Sequence, residues 1–233
     1  MTARQKAQSL ATRGLWVTAI AVVALAGVFV RAIAYTPMDR LQGPAQKIYY
    51  VHVPAAVVAL LAFSLTGVLS IVFLWLKDRR LDQAAAASAE VGVALSVIML
   101  TTGPIWGKPI WGTWWTWDAR LTSTLFLFLL FIGYLLMRGA VDDQNTRARF
   151  SAVIGVLGLA LVPFIHLTVY LFRTLHPRPI VLKPSRPSLP DDMLLTLLLS
   201  FGVFVLLYLG FTMQRYALGQ LRDLREEELH GAA

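Results

Sequence analysis

Hydrophobic and polar positions along this chain are segregated into six long apolar runs joined by short polar connections. The runs lie at about 15–34, 51–76, 86–105, 121–138, 150–171 and 193–213. Each approaches or exceeds the roughly 20 residues that a helix needs to cross a hydrocarbon core of about 30 Å. A segment in lipid must satisfy its own backbone N–H and C=O groups, so each run is predicted as an α-helix. The expected fold is an all-α integral membrane protein, a six-transmembrane-helix bundle forming a single membrane domain over 1–233. The first run needs one further decision. Arg4, Lys6 and Arg13 precede it and Ala32-Ile33-Ala34 follows it, the pattern of a cleaved signal. The run from Leu15 to Val30 is longer than a usual signal core and Arg31 sits beside the would-be cut, so an uncleaved span is expected.

Six crossings place both termini on one side, and the basic residues suggest which side. With the termini and the connections 77–85 and 138–149 inside, twelve Lys and Arg lie inside and nine outside. That bias favours cytoplasmic termini. The connection between the third and fourth helices then lies on the outer side. Acidic residues number nine inside and four outside, so the outer face is the more positive of the two. An excess of that kind suits anionic lipid, an acidic neighbour or an anionic ligand. The charges are divided among short loops and form no single stripe, which excludes a nucleic-acid partner. Segment 77–85 reads as a short charged turn. Segment 172–192 holds five of the eleven prolines and is expected to stay extended over the outer face. Residues 222–229 read as a short charged helix in water.

Composition agrees: 57% of residues are hydrophobic and 15% charged, against about 45–50% and 25% in soluble domains. There is no cysteine, which removes disulfides, zinc thiolates, iron–sulfur clusters and any thioether link formed by this chain. No Walker sequence, activated nucleophile or paired carboxylates can be read, so no enzyme activity is expected.

The candidate chemistry gathers at the outer face. Trp106, Trp111, Trp114, Trp115 and Trp117, five of the seven tryptophans, fall within twelve residues. An interfacial belt normally contributes one or two at each helix end; five in one loop form a broad aromatic shelf, suited to a large flat ligand. Gly107 and Gly112 allow tight turns there. Asp118 is expected to cap the fourth helix, and Arg120, a cation at an unfavourable helix end, calls for an acidic partner or an external anion. Of the four histidines, His52 begins the second span and His176 lies just past the fifth, both on the side of the tryptophans. Two imidazoles flanking an aromatic shelf fit axial ligation of a haem iron; zinc or copper would leave the shelf unexplained. Lys47, Arg120 and Arg178 are the candidate partners of the propionates. His166 lies ten residues before His176, about 15 Å deeper along a helix, too far for the same site. His230 falls in the tail and is read as incidental.

The run Trp106–Ser123, WGKPIWGTWWTWDARLTS, resembles the signature of the tryptophan-rich (WWD) haem-handling family of cytochrome c assembly, and especially its six-span CcmC branch. Tyr50-Val51-His52-Val53-Pro54-Ala55-Ala56 and Thr174-Leu175-His176-Pro177 extend the likeness over nearly the whole chain. The resemblance implies that His52 and His176 ligate haem b, held transiently and without a covalent bond, with the tryptophans supporting the macrocycle. It implies a bacterial inner membrane location and presentation of haem to the periplasmic chaperone CcmE, beside the transporter subunits CcmA and CcmB and the small subunit CcmD. Two positions depart from the family pattern: Leu171 and Phe172 stand where a tryptophan pair is common, and Lys47 replaces an arginine. The alternatives are a subunit that moves haem through its own helices and a structural subunit anchored by its tryptophans.

Overall fold

The computed structural model describes residues 1–181 and 183–231. Six helices are long and apolar enough to cross a membrane, and no strand is present among the described residues. They are α1 (Ala3–Val30), α2 (Tyr49–Leu76), α3 (Arg79–Trp111), α4 (Ala119–Ala140), α5 (Gln144–Leu171) and α6 (Asp191–Gly231). The expected all-helical six-span architecture is thus observed. Arg4 lies 3.4 Å from Glu228, so the two ends of the chain meet at one face. This end is the terminal face; the opposite end, carrying 36–48, 112–118 and 172–190, is the loop face.

Several helices are longer than the apolar runs, and polar end chemistry explains the difference. The α1 helix starts at Ala3 because Thr2 and Gln5 form a reciprocal capping box; it ends in a π-helical turn, Arg31–Tyr35. Segment 77–85, expected as a loop, is mostly the first two turns of α3. Asp78 caps that helix by accepting from the Arg80 N–H at 2.9 Å, and Lys77, at φ 57°, makes the reversal. The expected third-span end at 105 is also passed: α3 continues through Pro104 and Pro109 to Trp111. Each proline removes only one backbone bond near the helix end. The helix stops at Gly112, at φ 75°, a left-handed conformation that glycine adopts without steric penalty. The charged segment 222–229 is no separate helix but the continuation of α6. The described residues of segment 172–190 form no regular helix, as its prolines suggest.

Between helices in lipid there is little hydrophobic driving force, so close packing and polar contacts must hold the bundle. Along α1 four of the five buried positions are small, Ala7, Gly14, Thr18 and Ala21, the fifth being Val28. Gly14 and Thr18 face Gly210 of α6, whose backbone O would lie 2.8 Å from a Cβ added at Gly14. Gln214 Nε2 donates to Thr18 Oγ1 at 2.8 Å across the same pair. The α2–α5 pair uses the same device at Gly67 and Gly155. At the centre, Phe63 of α2 stacks on Phe131 of α4 with ring centroids 3.9 Å apart, while Ala89, Val93, Leu127, Tyr134 and Ile165 complete the cluster. Ser88 of α3 ties three helices together, donating to Ala62 O at 2.8 Å and pairing with Tyr208 OH at 2.8 Å.

A Cβ at Gly67 would sit 2.4 Å from Leu159 Cβ and 2.8 Å from Gly155 O, and backbone cannot move aside as a side-chain tip can. Gly67→Leu is therefore expected to separate α2 from α5 and destabilise the bundle by at least the 1–3 kcal/mol typical of overpacking, roughly. Thermal unfolding of the detergent-solubilised protein reads this effect. An unchanged midpoint would contradict the close approach.

Candidate functional site

The loop face gathers His52 from the first turn of α2, the end of α3, the tryptophan loop, the start of α4 and the strap after α5. His52 Nδ1 lies 3.1 Å from Thr102 Oγ1 on α3. The Thr102 hydroxyl donates to Ile98 O at 2.7 Å, so its proton is already engaged and it accepts from Nδ1–H. That fixes the tautomer and leaves the His52 Nε2 lone pair free. Gly103 allows this approach: a Cβ there would come within 3.1 Å of His52 Cε1. His176 reaches the same state by another route, with Nδ1 3.0 Å from Pro177 O. A carbonyl only accepts, so Nδ1 carries the proton and Nε2 is again free.

Burial pushes the His176 imidazole down to about 4, with the positive charge of Arg120 adding to the effect. His176 is consequently neutral at neutral pH, the form that can donate a lone pair to a metal. His52, Arg120 and Asp118 are all near enough to His176 to act on its charge. The structure thus brings together the two histidines, the cation and the carboxylate that were read separately from the sequence.

Asp118 does more than the expected capping. Its Oδ1 accepts from the Arg120 and Leu121 N–H groups, each at 2.9 Å. Its Oδ2 accepts from Thr116 Oγ1 at 3.2 Å and from the Leu175 N–H at 3.1 Å. One carboxylate therefore holds the start of α4, the end of the tryptophan loop and the residue before His176. Arg120 has Asp118 as its acidic neighbour, and its Nη1 lies 3.4 Å from Ile165 O.

The five tryptophans divide in two. Trp106, on α3 and not in the loop, donates from Nε1 to Gln42 Oε1 at 3.1 Å; its ring meets Tyr49 edge-on at 5.7 Å and His52 at 5.7 Å. Trp115 is half-buried, with its ring edge against Trp117 at 5.8 Å. Trp111, also on α3, has its ring 6.5 Å from that of His176. Trp114 and Trp117 are 58% and 76% exposed, so they are the faces most available to a ligand.

Two candidate cations are oriented elsewhere. Lys47 Nζ donates to Thr36 O at 2.6 Å and Pro37 O at 3.2 Å, closing the end of α1. Its stem also lines an apolar groove of about 350 Å³ between α1, α2 and α3. Arg178 lies 5.3 Å over the Tyr170 ring. His166 is exposed on the outside of α5 beside Tyr170. The side chain of His230 lies outside the described residues. Thr102, Gly103 and Gln42 were not singled out from sequence. A threonine near a helix end gives no sign that a histidine 50 positions away rests on it.

Whether these residues fit a haem can be tested on two observations. Both imidazoles present an Nε2 lone pair, and the buried Trp115 Nε1–H has no hydrogen-bond partner among the described residues. A buried donor without an acceptor is unfavourable by about 1–3 kcal/mol, and a ligand carboxylate or other acceptor would relieve it. The donor set fits.

Fold and site together define a class: polytopic membrane proteins with a histidine-flanked tryptophan loop at one end of a six-helix bundle. The chain matches the family described as CcmC, heme exporter protein C, over residues 2–229. Its relatives include the heme exporter protein C of Haemophilus influenzae, 35% identical over 82% of this chain and 78% of the relative. That of Bradyrhizobium diazoefficiens is 38% identical over 83% and 73% respectively. That of Escherichia coli strain K12 is 36% identical over 69% and 66%. The chain belongs to the CcmC family.

Thr102 gives a direct test of the tautomer argument. Thr102→Val keeps the shape but removes the acceptor, and is expected to weaken haem retention about 10–100-fold, the usual effect of losing a partner of a metal-ligating histidine. Thr102→Ser should restore most of it. Titration of the purified variants with haem, followed by absorbance, checks both.

Proposed function

We propose that the protein binds haem at the periplasmic face of the bacterial inner membrane and presents it to a periplasmic chaperone of the CcmE type. The observation that carries this reading is the pair of histidines whose Nδ1 atoms are both tied, leaving two Nε2 lone pairs beside the tryptophans. The names of the relatives, heme exporter protein C, support haem as the species handled. The distribution of basic residues supports a cytoplasmic terminal face and a periplasmic loop face.

In this mechanism His52 and His176 would hold the haem iron through their free Nε2 atoms. Trp114 and Trp117 offer exposed indole faces for the macrocycle, and Arg120 is the cation nearest the ligands. Haem brings a ligand-exchangeable iron, and the protein's part is to hold and orient it. His176 sits on the proline-rich strap, tied to the start of α4 through the Leu175 N–H and Asp118, so a partner's ligand would displace this side while His52 stays fixed on α2. Release thus needs no bond cleavage in the protein, which fits a carrier and not an enzyme. Partners of the CcmA, CcmB and CcmD types would complete the assembly. Passage of haem through the bundle has less support, because Phe63, Phe131 and Tyr134 fill its centre.

The test is the visible spectrum of the detergent-purified protein after haem addition. A Soret band with a six-coordinate, low-spin pattern is expected. A spectrum identical to haem in detergent alone would overturn the reading.

A further inference from the structure

The terminal face carries a second concave site, away from the histidines. It is a cavity of about 170 Å³ where α2 ends and α3 and α5 begin. Five basic side chains line it, Lys77, Arg79, Arg138, Arg147 and Arg149, against two carboxylates, Asp82 and Asp223. Both carboxylates are already matched. Arg138 holds Asp82 through two bonds of 2.6 and 3.0 Å, and Arg79 approaches Asp223 at 3.5 Å. The nearby Asp78 and Asp143 cap α3 and α5 through the Arg80 and Thr146 N–H groups. Lys77, Arg147 and Arg149 are left with no carboxylate at ion-pair distance among the described residues.

Lys77 lies 5.8 Å over the Phe73 ring and Arg149 acts on the Asp143 cap, so the three cations are only partly compensated, and their mutual repulsion favours an anion between them. The floor is apolar: Phe73 and Ala148 are each 5% exposed. Two large apolar side chains close in sequence to the lining cations, Trp75 before Lys77 and Phe150 after Arg149, are exposed. An exposed indole at a helix end marks the membrane–water boundary, so the cavity lies at headgroup height. Its volume is below the about 300–1,000 Å³ of sites that engulf a drug-sized molecule, which suits a ligand held by one end. Guanidinium forks match phosphate oxygens, and basic pockets between membrane helices on the cytoplasmic side recruit anionic lipid.

We propose that this cavity binds the phosphate of an anionic phospholipid, with Lys77, Arg147 and Arg149 around the headgroup and the acyl chains lying along Trp75 and Phe150. Free inorganic phosphate shares the headgroup chemistry but has no use for the apolar floor or for Trp75 and Phe150.

The full chain in detergent would be titrated with phosphatidylglycerol, phosphatidylcholine or inorganic phosphate, reading the thermal unfolding midpoint. Phosphatidylglycerol is expected to stabilise at concentrations at least about ten-fold lower than phosphatidylcholine. In Arg147→Gln/Arg149→Gln that preference should vanish, since each basic side chain near an anionic surface contributes roughly a factor of five. Lys6→Gln/Arg13→Gln, on the same face but outside the cavity, should leave it unchanged. Should the double variant fail to fold, Lys77→Gln alone is expected to give about a five-fold drop. Equal response to the two lipids would overturn the proposal and favour an acidic protein segment as occupant. An unchanged preference in the cavity variants would overturn it too. A response to inorganic phosphate equal to that of phosphatidylglycerol would assign the site to the free ion.

Discussion

His52→Ala/His176→Ala is expected to abolish the low-spin haem spectrum, while each single variant retains haem more weakly and with one axial position open. Losing only the outer partner of a metal-bound histidine costs about 10–100-fold in affinity. Losing the ligand itself should cost at least the upper end of that range, on the order of 100-fold. The two singles should differ. His52 stands on α2, held against Thr102, so its removal leaves a hole in a rigid wall that added imidazole can fill, restoring the six-coordinate band. His176 lies on the strap, and its alanine variant also removes the side-chain donor of Pro177 O; rescue by imidazole should be weaker there. Absorption spectra of the purified variants with and without imidazole measure this. Two singles with the spectrum of the unaltered protein would sink the ligand assignment and leave the tryptophans as an anchoring surface.

The largest stability effect is expected at the opposite face. Arg138 and Asp82 form a bidentate pair whose side chains are only 16% and 14% exposed, and Arg138 also lies 5.8 Å over the Tyr134 ring. Arg138→Ala leaves the Asp82 carboxylate without its counter-charge, a change that typically costs about 3–5 kcal/mol. Replacing both residues, Arg138→Met/Asp82→Leu, should recover most of that loss, because the desolvation of both charges is removed together with their attraction. The unfolding midpoints of the two variants separate these cases. A double variant as unstable as the single would show that the loss comes from Arg138 packing on Tyr134 and not from an orphaned charge. Haem binding at the loop face should survive in both, since the pair and the histidines occupy opposite ends of the bundle.

The site was partly legible before the fold was known. Asp118 was recognisable as a cap because capping is local: the carboxylate and the N–H groups it serves are two and three residues apart. Its second role, holding Leu175 across 57 positions, left no local sign. Lys47 and Arg178 were close to the histidines in sequence, yet their side chains point to the end of α1 and to Tyr170. Nearness along the chain places a Cα, and only the neighbouring helices decide where a long flexible side chain goes. The helix ends show the same division. The third run was expected to end at about 105, but a proline late in a helix loses one hydrogen bond, and α3 continues through Pro104 and Pro109 until Gly112 supplies the left-handed turn that ends it.

The sequence by itself determined the number of spans, the shared face of the termini and the gathering of histidines and tryptophans at one boundary. The physical reason is the bilayer, which forces each apolar run to close its own backbone hydrogen bonds and to cross completely. Tertiary structure decided which imidazole nitrogen is free, which tryptophans are packed and which exposed, and which cations remain unpaired. Those outcomes depend on atoms from different helices meeting within about 3 Å, and no periodicity along a single chain encodes such a meeting.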